Sequence, residues 1–396
     1  MRLRHLLVLC TAVVASVPSA VASPTQAAGS RQPAAGSKDV LVIAAEEGDF
    51  DLFVLDSRGG ASRRLTAGKE HEVQPAFSPD GSEIAFVRGL PWLYASPIYV
   101  MPSQGGVPRR IVSNGASPAW SPDGSRLAFV RNGGLFVVHA DGTNLRMLVP
   151  GAPKWFDAAR DPAWAPDGKA VTFWRWRHDP PGSLFRVPLS PPHVVRVLLP
   201  PVDDETIDAR PAWAPAGDRL AVEEITGCRG GTCGGARNVA VITMPEGRRR
   251  RLATGEAPAW APGGRRLAYI VADGVYVHSL AARTSRKLRS PALPEDRLQT
   301  RLTWKPVCSL AGGSSPDTLK GTAGADLICG LGGDDGLRGG AGADRVFSGK
   351  GDDLIHVDDG EFDVVGCGPG ADLVLGDEKD LVGADCERLR FTSGRR

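Results

Sequence analysis

A seven-residue motif recurs five times along the chain and constrains its fold more than any other feature. Each copy reads Pro-Ala, an aromatic residue, Ser or Ala, Pro, a variable residue and Gly, and the copies occupy residues 75–81, 118–124, 162–168, 211–217 and 258–264. A sixth, eroded copy spans residues 302–306, and the six aromatic positions are spaced by 43, 44, 49, 47 and 44 residues. Repeats of this length predict a β-propeller with one blade per repeat.

Each copy continues into short apolar runs separated by Gly, Pro, Asn and Ser clusters, which are typical of strands and turns. In the Pro-Asp-Gly step, Pro presets the first turn position, Asp bonds nearby backbone groups and Gly takes positive φ. We therefore interpret Asp80, Asp123 and Asp167 as turn residues. The recurrent aromatic side chain is expected to wedge between neighbouring blades, because it buries a large area.

The start of the repeat region lacks one strand of a four-stranded repeat, and its end has one strand left over. Three strand-like runs near its start have no copy of the motif before them; they are residues 40–44, 51–55 and 63–65. The orphan strand at residues 302–304 supplies the missing partner. Pairing of the first and last strands would close the ring and remove open sheet edges. We therefore expect an all-β fold with a six-bladed β-propeller over residues 39–307.

The Ser-Pro-Asp-Gly steps at residues 78–81 and 121–124 resemble the WD40-like repeats of TolB-type β-propellers. The resemblance covers roughly residues 40–306, and it implies the propeller fold and partners in the cell envelope. It does not imply one activity, because propellers host many functions. Related propellers are attached to serine peptidases of the prolyl oligopeptidase kind. This sequence, however, has no Gly-x-Ser-x-Gly motif and no segment left for a hydrolase domain.

From Asp317 onward the sequence becomes a Gly- and Asp-rich repeat with a period of nine. Aspartates recur at positions 317, 326, 335, 344 and 353. An apolar residue follows two positions after each of the last four, namely Ile328, Leu337, Val346 and Ile355. This pattern resembles the nonapeptide calcium repeats of RTX-type β-rolls. A flexible glycine-rich linker is the alternative, but a linker has no reason to keep apolar residues in phase.

These residue types suit calcium, which takes six to eight oxygen ligands. Glycine turns expose backbone carbonyls, and each aspartate adds charge. We expect the metal-binding residues to be Asp326, Asp335, Asp344, Asp353, Gly321, Gly330 and Gly339. With two nonapeptides per coil, the first and third of these aspartates should share one ion, and the second and fourth another.

The repeat departs from the RTX pattern in three places. Ser348 replaces the first glycine of one copy, Gly336 weakens one strand, and residues 357–365 break the period. We therefore expect about two intact ion sites in a short parallel β-roll within residues 308–396, which also include a C-terminal extension.

The N-terminus carries the features of a secretory signal peptide. Arg2 and Arg4 precede an apolar run over residues 6–17, which is shorter than the roughly 20 residues that span a bilayer. We expect residues 1–22 to be a signal peptide and residues 23–38 a linker. The mature protein should be secreted, either extracellular or associated with the cell envelope, and should have no transmembrane segment.

Six cysteines follow the signal peptide, and an even number in an exported chain favours disulfides. Six cysteines allow fifteen pairings. Our prediction pairs neighbours in sequence: Cys228 with Cys233, Cys308 with Cys329, and Cys367 with Cys386. Zinc is the alternative, but no Cys-x-x-Cys pair or nearby His completes a four-ligand set.

Charge divides the chain into two parts. The net charge is +2, yet residues 309–396 contain 17 acidic and nine basic residues, which gives this part −8 and the remainder +10. The acidic part suits cation binding. The composition, 42% hydrophobic and 23% charged, fits a soluble globular protein rather than one that coats nucleic acid.

The sequence contains no recognisable catalytic constellation. Its seven histidines are scattered, and none lies in a metalloprotease or nucleophile motif. We therefore expect a secreted calcium-binding protein whose propeller is a binding or scaffold module, and not an enzyme. One alternative is an envelope-structural or sensor protein of the TolB type; another is an enzyme with a site built from loops on the propeller face.

One face of the propeller is the expected binding surface, because loops carry function while blades hold them. The loops between second and third strands and those between blades share this face, whereas the Pro-Asp-Gly turns lie on the other. Its predicted aromatic and histidine residues are Trp92, Tyr94, Trp155, Phe156, Trp176 and His178. Its acidic residues are Glu70, Glu72, Asp203 and Asp204. We expect this face of a monomer to bind a protein or glycan; alternatively, the aromatic rings only cap the blades.

Overall fold

Every regular element in the described part of the chain is a β-strand, as the alternation of short apolar runs and turn residues predicts. The computed structural model describes residues 40–47, 49–58, 60–89, 96–151, 158–175, 183–199, 203, 205–229, 232–290, 293 and 301–391. The predicted signal peptide and linker lie outside these residues. All of the described residues belong to one unit, Gln32–Arg396.

The described residues of the repeat region form 26 strands. The first thirteen are β1 (Val40–Glu47), β2 (Asp49–Asp56), β3 (Arg63–Arg64), β4 (Glu72–Phe77), β5 (Glu83–Arg88), β6 (Ile98–Pro102), β7 (Arg109–Val112), β8 (Ala116–Trp120), β9 (Arg126–Arg131), β10 (Gly134–His139), β11 (Arg146–Val149), β12 (Ala159–Trp164) and β13 (Ala170–Arg175). The remainder are β14 (Ser183–Pro188), β15 (Arg196–Leu199), β16 (Ile207–Trp213), β17 (Arg219–Ile225), β18 (Cys228–Arg229), β19 (Thr232–Cys233), β20 (Arg237–Thr243), β21 (Arg248–Thr254), β22 (Glu256–Trp260), β23 (Arg266–Val271), β24 (Gly274–Ser279), β25 (Thr284–Lys287) and β26 (Thr303–Trp304).

Five four-stranded antiparallel sheets each come from one continuous stretch of chain and are the blades of a propeller. Blades 1 to 5 are β4–β7, β8–β11, β12–β15, β16-β17-β20-β21 and β22–β25, and the hairpin β18-β19 is inserted into blade 4. A further four-stranded sheet, here called the composite sheet, has the order β26-β1-β2-β3. In it Leu41 lies opposite Trp304, so the predicted pairing of the first and last strands is confirmed.

The turn between the first two strands of each blade forms as the motif predicts. In blade 2, Asp123 Oδ1 accepts hydrogen bonds from the Ser125 backbone N–H at 3.0 Å and from the Ser125 hydroxyl at 2.8 Å. Gly124 has a φ of +77°, a conformation that favours glycine. Asp80 and Asp167 accept equivalent backbone bonds in blades 1 and 3, which confirms their interpretation as turn residues.

The motif tryptophan joins each of blades 2 to 5 and the composite sheet to the blade before it. The indole N–H of Trp164 donates to the Ala119 carbonyl at 3.0 Å, and that of Trp304 donates to the Ala259 carbonyl at 2.9 Å. Trp120 and Trp260 make the same bond. In blade 4 the acceptor is a Thr hydroxyl instead. The predicted wedge is thus confirmed, and each indole also satisfies a polar group of the preceding sheet.

A bulge interrupts the innermost strand of every blade, immediately before the motif proline. The bulged residue has positive φ although it is not glycine; these residues are Gln74, Ser117, Asp161, Arg210 and Ala257. Bulges redirect side chains and often occur beside functional sites. Here all five residues line the central cavity of the propeller.

The C-terminal part is a parallel β-solenoid of about five coils, called the roll below. Its strands are β27 (Leu310–Ala311), β28 (Thr318–Lys320), β29 (Leu327–Gly332), β30 (Gly336–Arg338), β31 (Arg345–Lys350), β32 (Leu354–His356), β33 (Val364–Gly366), β34 (Leu373–Gly376), β35 (Leu381–Val382) and β36 (Arg388–Phe391). The odd-numbered strands form one five-stranded sheet and the even-numbered strands the other. Ile328, Leu337, Val346 and Ile355 are completely buried between the sheets, as the nine-residue period predicts.

Three disulfides are present, and they are the three predicted pairs. Cys228–Cys233 closes the hairpin of blade 4, Cys308–Cys329 ties the segment after β26 to the roll, and Cys367–Cys386 joins the last coils. No helix among the described residues is long and apolar enough to cross a bilayer.

Candidate calcium-binding roll and central cavity

Two ladders of carboxylates run along the roll. In ladder one, the backbone N–H of Asp326 donates to Asp344 Oδ1 at 2.8 Å, and that of Asp344 donates to Asp363 Oδ1 at 2.7 Å. Ladder one ends at Asp380, which accepts in the same way from Asp363. Each aspartate is therefore held in place by the backbone of the preceding coil.

Ladder two has the same pattern of backbone-to-carboxylate hydrogen bonds and runs along the second series of turns in the roll. The donors are the backbone N–H groups of successive coils, and the carboxylates in order are Asp317, Asp335, Asp353, Asp372 and Glu387. The structure thus brings Asp326 next to Asp344, and Asp335 next to Asp353, the two pairs expected to share ions.

Five of these aspartates retain one carboxylate oxygen that is buried and has no hydrogen-bond partner. The atoms are the Oδ2 oxygens of Asp335, Asp344, Asp353, Asp363 and Asp372. Burying an unsatisfied, charged oxygen is costly. A cation at each position would remove that cost.

Asp326 differs from the other predicted ligands. Its Oδ2 accepts hydrogen bonds from the Thr322 backbone N–H at 2.7 Å and from the Thr322 hydroxyl at 2.8 Å. Asp317 Oδ2 is similarly occupied by the Gly313 backbone N–H at 2.6 Å. The first coil thus caps each ladder with protein donors.

The glycines five residues before Asp335 and Asp344 leave room at the free oxygens of these two aspartates. A methyl group at Gly339 would lie 2.6 Å from Asp344 Oδ2, and one at Gly330 would collide with Asp335 Oδ2. At Gly321 the corresponding distance to Asp326 Oδ2 is 3.1 Å. A larger residue at Gly330 or Gly339 would therefore fill the space beside a free carboxylate oxygen.

Burial raises the pKa of Asp344 to about 6, and the neighbouring charge of Asp326 adds to this shift. Burial likewise raises the pKa of Asp363 to about 7, with further contributions from the Asp380 and Asp359 charges. The pKa of Asp372 is raised to about 6 by burial first and by the charge of Asp353. Each carboxylate therefore resists ionisation unless a positive charge compensates it.

The donor set fits a hard cation such as calcium. Among the described residues no three His, Cys, Asp or Glu side chains converge, so side chains alone do not make a cage. The free Asp oxygens would have to be supplemented by backbone carbonyls of the glycine turns, which are also hard oxygen donors. Oxygen ligands of this kind favour calcium over softer metals.

The ladders continue beyond the expected break at residues 357–365. One extra residue separates Asp344 from Asp363, yet Asp363 and Asp372 are fully buried and keep the ladder bonds. Neither aspartate is among the predicted metal-binding residues, because the extra residue breaks the period of nine, although residues 368–372 partly restore it. The signal that identifies them is the apolar residue two positions after each, which enters the roll core.

The predicted binding face is only partly described. Trp92, Tyr94, Trp155, Phe156, Trp176, His178 and Asp204 lie outside the described residues. Glu72 is buried, and its Oε1 accepts a hydrogen bond from Arg88 Nε at 3.0 Å, so the expectation that Glu72 is exposed to a partner is wrong. Glu70 is exposed and lies 3.5 Å from the same guanidinium. Asp203 Oδ1 accepts from the Glu205 backbone N–H at 2.9 Å.

The central cavity has a volume of about 1510 Å³ and a charged wall. Asp161 forms an ion pair with Arg301 and accepts a hydrogen bond from Trp174 Nε1 at 2.8 Å. Burial acts to raise the pKa of Asp161, but the Arg301 and Arg210 charges outweigh it and lower the pKa to about 2. Asp161 therefore stays ionised.

A second carboxylate, in blade 4, pairs with Arg210 of this wall. Glu223 is fully buried, lies 3.1 Å from Arg210 Nη1, and is also paired with Arg237. It accepts the Ala257 backbone N–H at 3.1 Å, which ties blade 4 to the bulge of blade 5. The cavity wall thus holds neighbouring inner strands together by charge.

The fold and the ladders define a β-propeller protein with a calcium-type β-roll. The family model of the TolB beta propeller domain matches residues 11–187, and that of the RTX calcium-binding nonapeptide repeat matches residues 309–337 and 330–361. The chain thus carries TolB-type propeller repeats followed by RTX calcium-binding repeats.

Individual relatives agree with this assignment. A protein named TolB homolog from Chlorobium chlorochromatii is 41% identical over 51 residues, which are 13% of this chain and 12% of that protein. The crystal structure of TolB from Acinetobacter baumannii matches with a TM-score of 0.55 and 22% identity over 68% of this chain and 67% of that one. A chain of a nidogen/laminin complex matches with a TM-score of 0.51 and 15% identity over 68% and 98%. These two structures show a shared fold alone.

Proposed function

We propose that the protein is an exported, calcium-binding scaffold whose propeller binds a protein or glycan outside the cell and whose roll is folded by calcium. Calcium binding is supported by the series of buried Asp oxygens that have no hydrogen-bond partner along the two ladders. Their positions coincide with matched RTX repeats and continue past them.

Calcium would supply the positive charge that the ladders lack. Asp335, Asp344, Asp353, Asp363 and Asp372 would hold the ions through their free oxygens. In the folded roll a backbone N–H fixes the other oxygen of each carboxylate. Binding free energy would then appear as folding free energy of the roll. Affinities of about 10⁻⁴ to 10⁻³ M would suffice in an extracellular medium.

We propose that the composite sheet closes the ring as a sixth blade. Trp304 donates its indole N–H to blade 5, and the Thr303 hydroxyl accepts the Phe77 backbone N–H of blade 1 at 3.3 Å. The sheet therefore makes the same kind of contact to blade 5 that the other blades make to their predecessors. A closed ring would hold the loops of the opposite face at fixed distances.

Export is supported by the three disulfides and by the predicted signal peptide. Disulfides persist in oxidising compartments and are rare in the cytosol. Outside the cell, the propeller would act as a rigid module and not as an enzyme. Its described cavity charges pair with one another in the wall. The match to TolB-type repeats favours an envelope-structural or sensor role as the second candidate.

Calcium titration of the full mature protein tests the proposal. Isothermal titration calorimetry should show calcium binding that is weakened at least tenfold in the double variant Asp344→Asn with Asp353→Asn. Glu361→Gln is the matched control, because this exposed residue lies in the same acidic segment and loses the same kind of charge. Unchanged stoichiometry and affinity in the double variant, or equal binding of magnesium, would exclude the ladders as calcium sites.

The partner is addressed by a second experiment. The variant Trp92→Ala with Trp176→Ala should reduce recovery of the bound protein or glycan from an envelope fraction. A matched variant on the turn face, Ala216→Ser, should leave it unchanged. Equal recovery by all three proteins would place the binding surface elsewhere.

A further inference from the structure

The outer face of the roll is covered in one place by the propeller. Val346 points into the roll core, so its neighbours Arg345 and Phe347 point outward, because successive side chains of a strand alternate. Phe347 is nevertheless only 8% exposed. Arg345 Nη2 donates to the Pro122 carbonyl at 3.3 Å, and the Phe347 ring lies beside Gly124. Both partners belong to the Pro-Asp-Gly turn of blade 2.

The next two strands of the same sheet extend this contact. A methyl group at Gly366 would collide with the Asp123 carbonyl, which shows how closely β33 approaches the turn of blade 2. Leu381 of β35 packs against Gly168 in the corresponding turn of blade 3. The roll therefore docks with β31, β33 and β35 across the turns of two adjacent blades.

The docked roll also borders the central cavity. Its residues in the cavity wall include Asp326, Asp344 and Arg345. Two of them, Asp326 and Asp344, are members of ladder one, whereas no carboxylate of ladder two borders the cavity among the described residues. The side of the roll that carries ladder one thus faces the turn end of the cavity.

Ladder one is connected directly to the docking residues. Arg345 follows Asp344 in the chain, and its backbone N–H donates to the Asp326 carbonyl at 2.9 Å. Two ladder residues therefore fix the start of β31, from which Arg345 and Phe347 reach the propeller. Loss of order in ladder one would release both contacts.

We propose that the roll is a calcium-dependent plug for the turn end of the propeller cavity. With calcium bound, the folded roll covers this end and leaves the opposite loop face as the binding surface. Without calcium, the roll unfolds and the turns of blades 2 and 3 are exposed. This inference rests on the proposed function, because it requires that calcium folds the roll.

Hydrogen-exchange mass spectrometry on the full mature protein tests the plug. Removal of calcium with EDTA should accelerate exchange at least tenfold in the turn segments 121–125 and 165–169. Segments 214–218 and 261–265 are matched controls, because methyl groups at Gly217 and Gly264 would meet no roll atom within 4 Å. Their exchange should stay unchanged, and magnesium should not replace calcium.

An undocking variant separates docking from calcium binding. Leu381→Glu removes an outward contact to blade 3 and leaves the neighbouring Val382 in the roll core. In calcium, its roll should remain protected while segment 165–169 exchanges as fast as in EDTA. The control is Leu354→Glu, the same change at an outward residue that is 40% exposed. It should behave like the unmodified protein.

The outcomes distinguish the two levels of the proposal. If calcium does not protect the roll itself, the proposed function fails and the plug fails with it. If calcium protects the roll but the turns of blades 2 and 3 exchange at the same rate with and without it, the plug is wrong and calcium binding stands. Equal acceleration in the control segments would show general loosening of the propeller and would also overturn the plug.

Discussion

The backbone N–H of Asp326 donates to Oδ1 of Asp344, 2.8 Å away, and Oδ2 of Asp344 is left buried without a partner. One coil thus orients the carboxylate of the next and aims its second oxygen at the space beside Gly339. The same relationship recurs in both ladders. One carboxylate oxygen is likewise buried without a partner in Asp335, Asp353, Asp363 and Asp372, whereas protein donors occupy that oxygen in Asp317 and Asp326.

Filling the space beside Asp344 should weaken calcium binding. In Gly339→Ala the new methyl group would lie 2.6 Å from Asp344 Oδ2, so the carboxylate must move. We expect calcium affinity to fall about tenfold or more, which corresponds to ~1.4 kcal/mol. Isothermal titration calorimetry measures the change. Gly324→Ala is the control, because its methyl group would meet only the Thr322 hydroxyl at 3.9 Å; equal losses in both variants would contradict the steric explanation.

Acid should stabilise the calcium-free roll. The pKa values of Asp344 and Asp363 are raised to about 6 and about 7 in the folded chain, against an ordinary value near 3.9. The folded state therefore binds protons more tightly than the unfolded state. This stabilisation is complete below about pH 4 and is lost as pH rises through 6 to 7.

Proteolysis of the full protein in EDTA measures this dependence. The roll should be cleaved more slowly at pH 5 than at pH 8. In saturating calcium the order should reverse, because protons compete with calcium for the carboxylates. The same cleavage rate at both pH values in EDTA would show that the ladder carboxylates do not control the stability of the roll.

The sequence predicted the features that form within one repeat or between two equivalent repeats. Gly124 and the apolar Val346 recur in register, so their periods report a turn and a core. Asp161 and Arg301 occupy the same motif position in two copies, and along the chain this position holds Gln, Ser, Asp, Arg, Ala and Arg, so periodicity carries no signal for their ion pair. Leu381 of the roll packs against Gly168 in a propeller turn. The periodicity of one kind of repeat gives no information about which residues of the other kind it contacts.

The indole hydrogen bonds between blades should each contribute measurable stability. Trp164→Phe keeps an aromatic wedge but leaves the Ala119 carbonyl without its donor at 3.0 Å. We expect urea-induced unfolding to show a loss of ~1 kcal/mol. The first copy of the motif already has Phe77 at this position, so the ring alone is compatible with the fold. Trp164→Ala should cost more, ~3–5 kcal/mol, because it also leaves a cavity; equal losses in the two variants would assign no role to the N–H group.

Removing one partner of the Asp161–Arg301 pair should destabilise the propeller more than removing both. The two side chains are 14% and 18% exposed, so neither charge is well solvated when left alone. Arg301→Gln should lower the free energy of unfolding by ~3 kcal/mol, the scale on which a buried pair is broken.

The double variant Asp161→Asn with Arg301→Gln should recover part of this loss, because no uncompensated charge remains and Trp174 Nε1 keeps an amide oxygen as acceptor. The pH dependence provides an independent check. The pKa of Asp161 is lowered to about 2, so its stabilisation is complete above about pH 4 and disappears as pH falls towards 2. Urea unfolding of the unmodified protein, the single variants Arg301→Gln and Asp161→Asn, and the double variant between pH 2.5 and pH 7 completes the cycle. If the single and double variants lose the same free energy at every pH, the pair is not coupled and the charges of the cavity wall act separately.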